Sequence, residues 1–225
     1  MIPRKSRYRD DLRTLDGRQR VLLAAGSAAR AAHVYDFFAD ASERAVLQGA
    51  VEELWSMDPG DSERARAALE RLGEIWPYSD EPADPEFDAD EPEYEPDEPR
   101  YWKIRALEVP RFAFMELHEG DTLRASDRAI QFGIGLVQEV EGAVGAAPLH
   151  GLAQEYPDSR GPFEELEGDI LDQSLRLVQE EPGPDALRRL RQLSSAHGQR
   201  VQEVLLPVLS TTSGWSPDDI EAARG

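Results

Sequence analysis

Asp16–Phe38 reads DGRQRVLLAAGSAARAAHVYDFF, and this run decides the fold class. Asp16 and Gln19 stand at the spacing of a capping box, which starts a helix. Leu22, Ala25, Ala29 and Ala32 recur at helical spacing and form one narrow face, whose small residues admit a close neighbour. The run closes on Tyr35, Phe37 and Phe38, an aromatic cluster suited to capping a core.

The same periodicity extends outward in both directions. Ser42 to Met57 carries Leu47, Ala50, Val51, Leu54 and Trp55 on one stripe, and Trp55 is expected to be buried with Val51. Asp58-Pro59-Gly60-Asp61 is a turn. A third helix follows, with Ala65, Ala68, Leu69, Leu72 and Ile75 on one side, and Pro77 stops it. Helical pattern resumes at Tyr101 with Ile104, Leu107, Phe114 and Leu117, and Pro110 is expected to bend or split that element. From about Asp121 to Val144 the stripe is Ile130, Ile134, Val137 and Val144, and Gly133 and Gly135 suggest close packing on a neighbour. Gly161-Pro162, Gly183-Pro184 and Ser216-Pro217 each put proline where a first helical turn accepts it. The last long helix carries Leu190, Leu193, Val201, Val204 and Val208. Strand-like alternation is not found. The reading is therefore all-α, a single helical domain over residues 1–225 with about seven or eight helices. Residues 1–15 are read as a basic, exposed N-terminal arm (Arg4, Lys5, Arg7, Arg9).

Composition narrows the function. The 225-residue chain has no cysteine and a formal charge of -20. Thiolate chemistry and disulfides are excluded, and the composition fits a reducing, cytoplasmic setting. Such charge repels nucleic acid and anionic membranes and attracts basic surfaces. No stretch approaches the apolar length of a membrane span.

The acids are concentrated. Between Ser79 and Pro99 stand eleven acidic residues, five prolines and no lysine or arginine. Such a segment cannot bury enough apolar surface to offset its ordering entropy, so a flexible acidic insertion over 79–99 is expected. Its functional reading is an electrostatic lure for a basic protein. Asp80, Glu81, Asp84, Glu86, Asp88, Asp90, Glu91, Glu93, Glu95, Asp97 and Glu98 supply the charge, and Phe87 and Tyr94 are the candidate anchors. The plain alternative is a solvated linker. Trp76 and Tyr78 precede the segment and Tyr101 and Trp102 follow it, an arrangement that suggests the two halves pack together.

Catalytic signatures are absent from the local sequence. His33, His118, His150 and His197 show no metal-ligand spacing. His197 falls on an apolar stripe, where a half-buried structural role is the ordinary one. Gly133-Ile134-Gly135 lacks the third glycine and the strand of a dinucleotide fingerprint. Glu52-Glu53 and Glu164-Glu165 read as solvated faces. No catalytic, metal or cofactor-binding residue is nominated, and no cofactor is implied.

The order of features carries a resemblance. A helix ends in Tyr35, Phe37 and Phe38, the next in Leu54-Trp55, and a third leads to Ile75-Trp76-Pro77 and then Ser79-Asp80. A helix pair follows, with the long Leu123–Val144 segment. Over about Asp16 to Val144 this resembles a bacterial all-helical family of unknown function, and it is similar to the all-helical immunity proteins of polymorphic toxin systems. The acidic insertion and the tail beyond Gly161 depart from that pattern. The resemblance implies a cytoplasmic inhibitor that neutralises a cognate toxin by direct binding, with no catalytic residues to carry over. Two other classes stay open: a helical adaptor or regulator without a toxin partner, and an enzyme whose site is assembled from scattered residues.

Overall fold

The computed structural model describes residues 4–76, 96–145, 161–180 and 183–224. Among the described residues there are nine helices and no strand. They are α1 (Arg4–Thr14), α2 (Gly17–Phe38), α3 (Ala41–Ser56), α4 (Ser62–Gly73), α5 (Pro99–His118), α6 (Thr122–Val144), α7 (Pro162–Glu180), α8 and α9 (Pro217–Ala223). The rod α8 is α-helical over Pro184–Arg200, π-helical over Val201–Leu205 and α-helical again over Leu206–Thr212.

The helix count exceeds the expectation because residues 4–14 are helical. Tyr8 and Leu12 are buried and Leu15 follows them into the core, so this segment is not an exposed arm. Their i, i+4, i+7 stripe is masked in the sequence by the arginines around it.

The middle of the bundle is α2, which packs against α3, α5, α6, α7 and α8. Its buried residues run around the whole cylinder, Val21, Leu23, Ala24, Ala25 and Ala28 among them. Leu22 and Ala29, expected on the buried face, are only partly covered. A helix enclosed on nearly every side loses the one-sided pattern that marks a surface helix. One core cluster draws on the helices from α1 through α8.

The helix starts follow their sequence signals. Asp16 accepts from the Gln19 N–H at 2.8 Å, and the Gln19 side chain accepts from the Asp16 N–H at 2.9 Å. Asp40 and Glu43 form a second reciprocal cap, which moves the start of α3 to Ala41. Prolines 99, 162, 184 and 217 open α5, α7, α8 and α9. At α7 the cap comes from outside the segment. Glu141 of α6 accepts from the N–H groups of Phe163 and Glu164, each at 2.8 Å. Burial raises the Glu141 pKa, and those two donors oppose the rise.

Two prolines inside helices act differently from each other. Pro110 lies inside α5, which stays one element, and its ring is buried in the core. Pro207 cannot donate to the carbonyl four residues back, and its ring crowds that carbonyl. The preceding turn widens instead, so that the Leu206 N–H donates to Val201 O. The extra residue rotates the buried face onto Leu205, Leu206 and Leu209, and Val204, expected on the stripe, is exposed.

No described helix is long and apolar enough to cross a membrane.

Candidate functional site

The expected partner-binding residues Asp80, Glu81, Asp84, Glu86, Phe87, Asp88, Asp90, Glu91, Glu93, Tyr94 and Glu95 lie outside the described residues, as does Tyr78. Asp97 and Glu98 are described, and both are exposed at the start of α5. Their backbone is pinned by two indoles. Trp102 Nε1 donates to Pro96 O at 3.0 Å, and Trp215 Nε1 donates to Asp97 O. Trp102 is buried on α5 and forms an edge contact with Tyr101. Trp215, just before α9, packs edge-on against Phe38 at 5.8 Å between centroids. The Glu98 carboxylate does not cap its helix. Neither Asp97 nor Glu98 has an ion-pair partner among the described residues. Several other acids are engaged: Glu53 with Arg64, Glu108 and Glu139 with Arg105, and Glu116 with Arg128.

The other foot of the segment also sits on α5. The guanidinium of Arg111 lies 4.3 Å from the Trp76 ring centroid, a cation–π contact that joins the end of α4 to α5. Beside this foot opens a cavity of about 330 Å³, lined by Tyr35, Glu43, Glu74, Ile75, Trp76, Arg100, Lys103, Ile104, Leu107 and Ala223. Lys103 Nζ is 2.6 Å from Glu43 Oε1 and donates to Ala223 O at 2.8 Å. Tyr35 is fully buried, and among the described residues its hydroxyl has no hydrogen-bond partner. Its pKa is raised, first by burial and then by Glu43, Asp40 and Asp36, so the phenol stays neutral.

A second cluster is wholly internal. Arg30 of α2 directs Nη2 to Glu167 Oε1 of α7 at 2.7 Å, and its Nε donates to Oε1 at 2.9 Å and Oε2 at 3.1 Å. Ser27 Oγ accepts from Arg30 Nη2 at 3.1 Å, and Ser194 Oγ lies 3.5 Å from Nη1. His197 of α8 brings Nε2 within 2.8 Å of Glu167 Oε2. That contact is poorly directed for a hydrogen bond, because both ring nitrogens lack a well-aligned partner. Burial works against the Glu167 carboxylate, but the Arg30 charge and the His197 contact outweigh it and hold the pKa well below the usual carboxylate range. The void among these side chains is about 10 Å³, at most one water molecule. The cluster ties α2, α7 and α8 together and leaves no room for a substrate. Among the described residues no group of three histidine or acidic side chains could hold a metal ion.

No family model matches this chain. No curated protein and no solved structure is significantly similar to it. The likeness to immunity proteins therefore rests on the pattern of helices and tryptophans alone.

The remaining sequence candidates fall into ordinary roles. Glu52 pairs with Arg191 at 2.8 Å and Glu53 with Arg64 at 2.7 Å, so the Glu52-Glu53 face is cross-linked to α8 and α4. Glu164 accepts from Gln138 at 2.8 Å. His33 faces Gln202, and His118 lies 3.2 Å from Ser62 O. Gly133 packs against Ser27 at ordinary van der Waals distance, whereas Gly135 faces open space. The sequence reading passed over Arg30, Glu167, Lys103 and Arg100. Arg30 was findable, as the one charge inside the apolar run Val21–Ala32. Nothing local marks Glu167, which meets Arg30 across 137 positions.

Proposed function

We propose that this protein is an acidic helical binding protein that engages a basic protein partner without catalysing a reaction on it. The observation that carries the reading is the exposure of Asp97 and Glu98. Two tryptophans hold the backbone of Pro96 and Asp97 in place, while the adjacent carboxylates face solvent with no ion-pair partner among the described residues. A fixed backbone beneath free charge is what steering needs, since opposed charge fields chiefly accelerate encounter. The net charge of -20 supports the same sign of partner. The buried Arg30–Glu167–His197 cluster supports a binding role by its lack of space, because its ionisable groups are committed to joining helices. Within this reading, the resemblance to immunity proteins makes a basic toxin the partner class and direct blockade the mode of action.

The test is capture at low salt by the immobilised full chain, followed by binding kinetics on what is retained. Saturable binding of a basic protein, weakened when Asp97 and Glu98 become asparagine and glutamine, supports the proposal. Retention of no basic protein, or binding indifferent to that replacement, contradicts it.

A further inference from the structure

The cavity beside Trp76 holds two opposite charges that nothing in the described protein neutralises. Arg100 donates to Ala222 O at 3.4 Å and has no carboxylate partner. Glu74, exposed at the end of α4, has no cationic partner. The remaining charges in the wall cancel each other, since Lys103 and Glu43 pair at 2.6 Å. Among the described residues the cavity is thus balanced overall, with one unpaired cation and one unpaired anion. Ile75, Ile104 and Leu107 supply apolar wall between them.

We infer that this cavity binds a small zwitterion with an apolar body, of the α-amino-acid class. Arg100 takes the carboxylate, Glu74 takes the ammonium, and the apolar wall takes the side chain. A volume of about 330 Å³ lies at the small end of ligand pockets, which suits one amino acid. The inference does not depend on the basic partner, because it concerns Arg100 and Glu74 rather than Asp97 and Glu98.

The experiment is calorimetric titration of the full chain with three probes of matched apolar body: L-leucine, 3-methylbutylamine, which lacks the carboxylate, and 4-methylpentanoate, which lacks the ammonium. Leucine is expected to bind saturably, with each truncated probe about tenfold weaker or more. Arg100→Ala should erase the advantage of leucine over the amine and preserve its advantage over the acid. Glu74→Gln should do the reverse. Both positions are exposed, so the fold is expected to survive, and helical circular dichroism checks this. Absence of saturable leucine binding, equal affinity for the three probes, or indifference of leucine to both charge replacements overturns the inference.

Discussion

Arg30 and Glu167 meet at 2.7 Å in the centre of the bundle, from α2 and α7, with 5% and 2% of their side chains exposed. The pair is bidentate and reinforced by Ser27. Buried ion pairs of this kind are weak sources of net stability, since desolvation offsets their attraction, yet breaking one partner leaves a buried charge stranded. Arg30→Met should therefore destabilise the protein by about 3–5 kcal/mol, measured by urea denaturation. The double replacement Arg30→Met with Glu167→Leu should recover most of the loss. A double variant as unstable as the single one would mean that the helices depend on the charges themselves.

The same pair sets an acid limb of stability. The Glu167 pKa falls from 4.5 unfolded to about 2 folded, as the Arg30 charge and His197 overcome the effect of burial. A depressed carboxylate contributes fully above its unfolded value and loses that contribution as pH falls toward its folded value. The stability advantage of the wild type over Glu167→Gln should be constant at neutral pH and shrink between about pH 4.5 and pH 2. Denaturation curves across that window check this, and an advantage that grows on acidification would reverse the assignment.

Gly198 marks a tight crossing of α8 on α2. A Cβ there would fall 2.2 Å from His33 Cδ2 and 3.2 Å from Arg30 O. The His33 ring can move but the α2 backbone cannot, so Gly198→Ala should cost about 1–3 kcal/mol. Adding His33→Ala should relieve only part of it. Thermal unfolding of the two variants measures the split.

The indole anchors predict a smaller effect. Trp102→Phe keeps most of the ring volume and removes the donor to Pro96 O. It should cost about 0.5–1.5 kcal/mol and slow association with the proposed basic partner, because the exposed carboxylates at 97 and 98 lose their fixed position. A stability loss with unchanged association would confine Trp102 to the core.

Much of this fold is written locally. Asp16 and Gln19, and the prolines at 162, 184 and 217, mark helix starts that the structure places where the sequence does. Trp55 is buried as its stripe requires. What escapes is whatever depends on distant partners. Tyr8 and Leu12 look unremarkable until α6 and α7 cover them, and the Tyr8 hydroxyl donates to Gly168 O 160 positions away. The central placement of α2 erases the one-sided pattern used to orient it. The π turn before Pro207 shifts a register that periodicity alone continues straight. The candidate site divides in the same way. Acidity is a property of composition and was legible. The pairing of Arg30 with Glu167, and the gathering of Tyr35, Glu74, Arg100 and Lys103 around one cavity, are products of helix packing.

In the proposed function the exposed acids Asp97 and Glu98, at a backbone pinned by two indoles, help to draw in a basic protein. The most direct measurement is the association rate with the captured partner as salt rises, for the wild type and for a chain with its acids from Asp80 to Glu98 replaced by asparagine and glutamine. Screening shortens the reach of exposed charge to about 8 Å at physiological ionic strength, so the wild-type rate should fall steeply with salt while dissociation changes little. The neutralised chain should start slow and respond weakly. An association rate indifferent to both salt and these charges would contradict the account.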